Sequence, residues 1–136
     1  MKFHPDIPVY GETSFRGDCP KEAAEQTTFF SRIRKYYPET YGLIATHVRN
    51  EGKKTFGQVR REAAEGMTKG ASDIIIPGSP AFVCELKRRD HTLCSWQDGQ
   101  KEYLLAAQGA GAFVCLALGI DGAWEAFKAW RSIVES

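Results

Sequence analysis

Three residues have types and spacing that could do chemistry together: Asp73, Glu85 and Lys87. Asp73 stands near the start of the apolar run Ser72–Ile76, and Glu85 and Lys87 close the run Phe82–Lys87. Both runs read as strands. The turn cluster Pro77-Gly78-Ser79-Pro80 joins them, and so short a connection makes a β-hairpin. Side chains alternate along a strand, so Glu85 and Lys87 share a face and Leu86 points the other way. Register decides whether Asp73 joins them. If Ile76 pairs with Phe82, Asp73 falls opposite Glu85, with Cβ atoms about 4.5–5.5 Å apart. If Ile76 pairs with Ala81, Asp73 faces away unless a bulge corrects it.

Two carboxylates that close repel each other, so one must hold a proton or a cation must sit between them. A hard divalent ion with oxygen ligands fits such a pair, and the backbone carbonyl of Leu86 could supply a further oxygen. An ammonium beside the ion, here Lys87, could orient or help deprotonate a water, or hold a phosphate oxygen. That is a device for metal-assisted phosphodiester hydrolysis. The alternative is a solvated sheet end with ordinary surface charge. Glu85, however, lies within AFVCEL, and a charge carried into an apolar strand needs a compensating partner.

The elements that must position these residues follow from the pattern of the remaining sequence. The chain has 136 residues, 43% hydrophobic and 26% charged, which suits one globular domain spanning 1–136. No apolar run approaches the roughly 18–20 residues that cross a bilayer, and the N-terminus has no apolar signal region, so a cytoplasmic protein is expected. Residues 1–19 hold Pro5, Pro8, Gly11 and Gly17 and read as an irregular arm. A helix from Pro20 to Tyr37 is expected, with Asp18 as a possible cap and a core stripe at Phe29, Ile33 and Tyr36. Tyr41–Val48 reads as a strand and Gln58–Glu65 as a short helix. Trp96–Gln108 has helical composition with a weak point at Gly99, Ala112–Leu118 is a buried-type strand, and Ala123–Val134 is an amphipathic final helix. The order α-β-(α)-β-β-α-β-α gives an α/β domain with a mixed central sheet flanked by helices. The four cysteines form no CxxC pair and read as reduced thiols.

The run Gly66–Ile76 with Asp73, then Phe82-Val-Cys-Glu85-Leu-Lys87, Gln100-Lys-Glu-Tyr-Leu104 and Gly109–Val114 resembles the VRR-NUC branch of the PD-(D/E)XK nucleases. Lys21-Glu22-Ala-Ala-Glu25-Gln26 and His47-Val-Arg-Asn50 resemble its upstream segments. The likeness spans about residues 20–118, with Ser72 standing where the family usually has proline. It implies a restriction-endonuclease-like core. It implies Mg²⁺ or Mn²⁺ on Asp73 and Glu85, Lys87 acting on the nucleophilic water, and Gln100 positioning a water or ligand from the start of its helix. It also implies an upstream acid near the metal, Glu22 by spacing to Gln26 or else Glu25. Stand-alone members of the family, many phage-encoded, resemble Holliday-junction resolvases and act as homodimers. Branched DNA, a homodimer and a bacterial or phage-infected host cell are therefore the implied partners and setting.

Net charge is only +1, yet residues 1–69 carry twelve Lys/Arg against nine Asp/Glu, whereas residues 70–136 carry six against eight. In a nuclease, Arg49, Lys53, Lys54, Arg60, Arg61 and Arg88 are the candidates for phosphate contacts. The aromatic residues of the final helix, Trp124, Phe127 and Trp130, exceed what one small core is expected to absorb and suggest a dimer interface. The competing readings are a DNA-binding module that keeps the fold without cutting, and a metal-free structural protein.

Overall fold

The computed structural model describes residues 1–49 and 54–136. Its centre is the expected hairpin. The β-branched run Ile74–Ile76 (β3) lies antiparallel to Phe82–Lys87 (β4), with Ile76 against Phe82 and Ile74 against Cys84. The five-residue connection is fixed from outside. Trp130 Nε1 donates to the Pro80 carbonyl at 2.7 Å. Its ring also lies so close to Gly78 that an added Cβ would come within 2.8 Å of it.

Phe113–Leu118 (β5) runs parallel to β4 on the other side. A parallel pair needs a crossover, and the helix Gln100–Gly109 supplies it. Thr46–His47 (β2) pairs antiparallel with β3, and Val9–Tyr10 (β1) pairs parallel with β5. The result is a mixed five-stranded sheet in the order β1-β5-β4-β3-β2.

The helices cover both faces. Glu22–Tyr36 (α1) and Gly119–Val134 (α5) pack on one side against Ile74, Ile76, Phe82, Cys84 and Leu86. Phe29 and Ile33 of α1 are fully buried, each contributing roughly 1.5–3 kcal/mol by leaving water. Leu104 of the crossover helix covers Val83, Val114 and Leu116 on the opposite face. The even-numbered side chains of β4 therefore face α1 and α5, and the odd-numbered ones face the crossover side.

Outside the crossover helix, the structure departs from the sequence expectation in four main places. Residues 1–19 are anchored, because they contribute β1 and because Asp90 accepts from Gly17 N–H at 3.0 Å. The first helix starts behind Lys21 without a side-chain cap, so Asp18 does not cap it. Tyr41–Ile44 forms a single helical turn (α2), and only Thr46–His47 is strand. Tertiary contacts decide this. Tyr41 stacks edge-on against Phe127 and Trp130 and donates to Glu135 at 2.6 Å. The fourth concerns α5, where Phe127 and Trp130 are fully buried and Trp124 packs on Phe29 and Tyr37. The core absorbs these aromatic side chains, which removes the basis for a dimer interface there.

Two glycines fix the crossover helix, numbered α4 after the exposed helix Phe56–Ala64 (α3). Gly99 is its N-cap at φ +87°, not a weak point inside it. Gly70, at φ +82°, crosses so closely that an added Cβ would stand 2.3 Å from the Gly99 carbonyl carbon. Only two glycines allow that approach, and it sets the start of α4 beside the chain entering Asp73. Gly70→Ala is expected to cost about 1–3 kcal/mol in urea unfolding. Gly57→Ala, in open space on α3, is expected to add about 0.5–1 kcal/mol of stability.

Candidate active site

Alternation along β4 puts Val83, Glu85 and Lys87 on the face that α4 covers. Glu85 is 1% exposed and Lys87 3%. The Ile76–Phe82 register continues to Asp73, which stands just before β3 opposite Glu85. Its Oδ2 accepts the Leu86 N–H at 3.0 Å. A strand residue sends its N–H and C=O to the same neighbour, so the Leu86 carbonyl is directed to the Asp73 side as well.

Gln100, the first residue of α4, bridges the buried pair. Its Nε2 donates to Glu85 Oε1 at 3.0 Å, and its Oε1 accepts from Lys87 Nζ at 3.0 Å and from Gln97 N–H at 2.8 Å. Those three bonds settle which way the amide faces. Lys87 Nζ lies 3.8 Å from Glu85 Oε1 and 3.9 Å from Glu22 Oε1. Packing of Phe29 and Ile33 on the sheet carries the first turn of α1 to the sheet end, where Glu22 meets Lys87. Glu25, three residues on, is buried and accepts the Ile120 N–H at the start of α5. Spacing alone left these two acids as alternatives. The structure brings Glu22 into the cluster and commits Glu25 to the end of α5.

Burial, and then the neighbouring Asp73 carboxylate, push the Glu85 carboxyl up to about 10, against the opposing pull of Lys87. The second oxygen, Oε2, is buried without a hydrogen-bond partner. While Glu85 holds its proton it can share it with the Asp73 carboxylate; once deprotonated, the pair suits a hard divalent cation, which takes oxygen ligands and keeps several waters. Among the described residues no three His, Cys, Asp or Glu side chains group as a complete metal site, so water or substrate would complete the shell.

The cluster opens into a cleft of about 1050 Å³ lined by Asp73, Glu85, Lys87 and Gln100 and walled by Val59 and Glu62 of α3. Arg49, Arg60 and Arg61 are exposed. Lys54 lines the cleft but is paired with Glu62. Lys53 lies outside the described residues. Arg88 is set apart from the other cations, because its guanidinium holds the Cys19 and Pro20 carbonyls at 2.9 and 3.4 Å and so ties the chain entering α1 to the end of β4. The sequence reading missed Lys69, Cys94 and Ser95 as lining residues. Lys69 was visible only as one more cation, and the other two reach the cleft through a turn at His91–Leu93 that has no sequence periodicity.

A solved structure described as a VRR_NUC domain protein matches with a TM-score of 0.69 at 17% identity, covering 87% of this chain and 92% of that one. The chain thus has the fold of a VRR_NUC domain protein. No protein-family model matches the chain, and no curated protein matches its sequence. Among the described residues no helix is long and apolar enough to cross a membrane.

The raised Glu85 carboxyl fixes a pH dependence. The folded protein keeps this proton up to about pH 10, whereas the unfolded chain releases it in the ordinary carboxylate range. The stabilisation is therefore complete below about pH 4.5 and falls as pH rises towards 10. In EDTA, urea unfolding is expected to become easier from about pH 6 to pH 9, by no more than about 1.4 kcal/mol per pH unit. Glu85→Gln is expected to flatten that slope.

Proposed function

We propose that the chain is a divalent-metal-dependent DNA endonuclease, with Mg²⁺ or Mn²⁺ held by Asp73, Glu85 and the Leu86 carbonyl. The observation that carries this reading is the buried, unpartnered Glu85 oxygen beside Asp73, at the floor of an open cleft. The bound cation would neutralise charge on the phosphate and make water more acidic. The chain's own residues hold and orient the reactants. The Lys87 ammonium, fixed by Gln100, is placed to donate to the attacking water or to a phosphate oxygen. Gln100 keeps Glu85 and Lys87 in register with each other. Glu22 closes the cluster from the α1 side, within reach of the same ammonium. Hydrolysis joins the water oxygen to phosphorus and breaks one P–O ester bond, leaving one phosphate end and one hydroxyl end.

The exposed Arg49, Arg60 and Arg61, with Lys69 at the cleft, supply positive charge for the DNA backbone. The substrate of this reading is branched DNA of the Holliday-junction kind. A homodimer is the matching form, because symmetric cutting of a branched duplex needs two such clusters. Four unbridged cysteines suit a reducing bacterial or phage-infected cytoplasm.

The test is incubation with labelled four-way junction, flap and linear duplex in Mg²⁺, Mn²⁺ or EDTA. Cutting is expected with either metal and none in EDTA. Asp73→Asn keeps an acceptor for the Leu86 N–H, so it should fold. Asp73→Asn and Lys87→Ala are each expected to lose on the order of 10²–10⁴-fold in rate while melting within a few degrees of the parent. Salt-sensitive binding without nicking would make the chain a binding module instead. Undiminished cutting by either variant would displace the site.

A further inference from the structure

We infer that a recess beside the catalytic cluster is a nucleobase subsite, which takes one unpaired base next to the phosphate to be cut. This rests on the nuclease reading and names the feature of the substrate that the site would select. The recess measures about 460 Å³ and lies between α3, the turn that follows it, and α4, within the roughly 300–1,000 Å³ of small-molecule sites.

Its position is set by the backbone of the cluster. Val48, Glu62, Met67 and Ala71 line both the recess and the main cleft. Ala71 stands two residues before Asp73, and the Val48 N–H donates to the Asp73 carbonyl at 3.2 Å. The mouth of the recess is thus built on the chain that carries a cluster carboxylate. A nucleotide whose phosphate lies at Asp73 and Glu85 has its own base, or its neighbour's, within reach of this opening.

The lining favours a base over a phosphate. Tyr103 offers an aromatic ring and Met67 a polarisable thioether, both suited to the flat face of a base. The charged residues of the recess are the carboxylates Glu62 and Glu65. Glu62 is balanced by Lys54, so Glu65 carries the negative charge that disfavours an anion, and its carboxylate can accept from the exocyclic amine of cytosine or adenine. The Lys54 ammonium reaches the recess from the cleft side, paired with Glu62 and donating to the Met67 sulfur at 3.3 Å, so Met67 offers a base its methyl and methylene surface and Tyr103 its ring. Drawing a base out of a stack costs least where it is unpaired, so the recess would favour DNA with an unpaired nucleotide at the cut, as at a branch point, flap or bulge.

The test uses the full chain and a duplex with one unpaired 2-aminopurine, beside the same probe fully paired, in EDTA. An end-label anisotropy reading reports binding separately. Saturation by the parent chain is expected to change the emission of the unpaired probe by about twofold or more and to leave the paired probe nearly unchanged. Tyr103→Ala and, at a more exposed position, Met67→Asp are expected to abolish the change while the DNA stays bound; a melting curve identifies whichever variant folds. No emission change in the parent, or the same change in a folded recess variant, overturns the subsite. A probe response without metal-dependent cutting would sink the catalytic reading and leave the subsite standing. Absence of DNA binding would overturn both.

Discussion

A carboxyl group buried beside a second carboxyl group cannot stay charged unless a cation joins them. The sheet of this protein enforces that situation. Pairing of Ile74–Ile76 with Phe82–Cys84 leaves no freedom at the next position, so Asp73 must face Glu85. Lys87 offsets this only in part, since burial first and the Asp73 carboxylate second keep Glu85 raised to about 10 with the ammonium 3.8 Å away. The unpartnered Oε2 is the residue of that conflict. Proteins satisfy nearly all buried polar atoms, so Glu85 Oε2, like the buried Ser72 hydroxyl, calls for an explanation, and the proposed cation supplies one for Glu85.

Much of the surrounding fold serves to hold this conflict in place. Gln100 binds both Glu85 and Lys87, and it can do so because α4 begins where Gly70 and Gly99 cross. Glu25 fastens the start of α5 to α1 while Glu22, one turn earlier, reaches the cluster. Arg88 and Asp90 clamp the first twenty residues to the end of β4. The residues immediately after the cluster strand are thus committed to fixing its surroundings. The site is built on a central strand and the starts of two helices, the rigid parts of the chain, while the cleft wall at α3 is the exposed part.

The hairpin was legible in the sequence because a β-branched run, a turn of fixed length and an alternating strand leave few registers open. Periodicity alone put Glu85 and Lys87 on one face; Asp73 joins them only because Ile76 pairs with Phe82 rather than Ala81, a choice that the sequence left open. The choice between Glu22 and Glu25 was not legible, since both occupy the first turn of one helix and only the position of α5, distant in sequence, separates them. Tyr41–Ile44 looks like a strand locally, and its aromatic contacts with α5 override that pattern. Gly99 resembled a helix defect because its partner in the crossing, Gly70, lies 29 residues away. The surplus of aromatic residues in the last helix pointed outward only until α1 and α2 were placed against it.

The central claim is that Asp73 and Glu85 share a divalent cation. Anomalous diffraction from Mn²⁺-soaked crystals tests it most directly. The account predicts a peak between the two carboxyl groups, beside the Leu86 carbonyl. Density for manganese elsewhere on the chain, with none between Asp73 and Glu85, would contradict it.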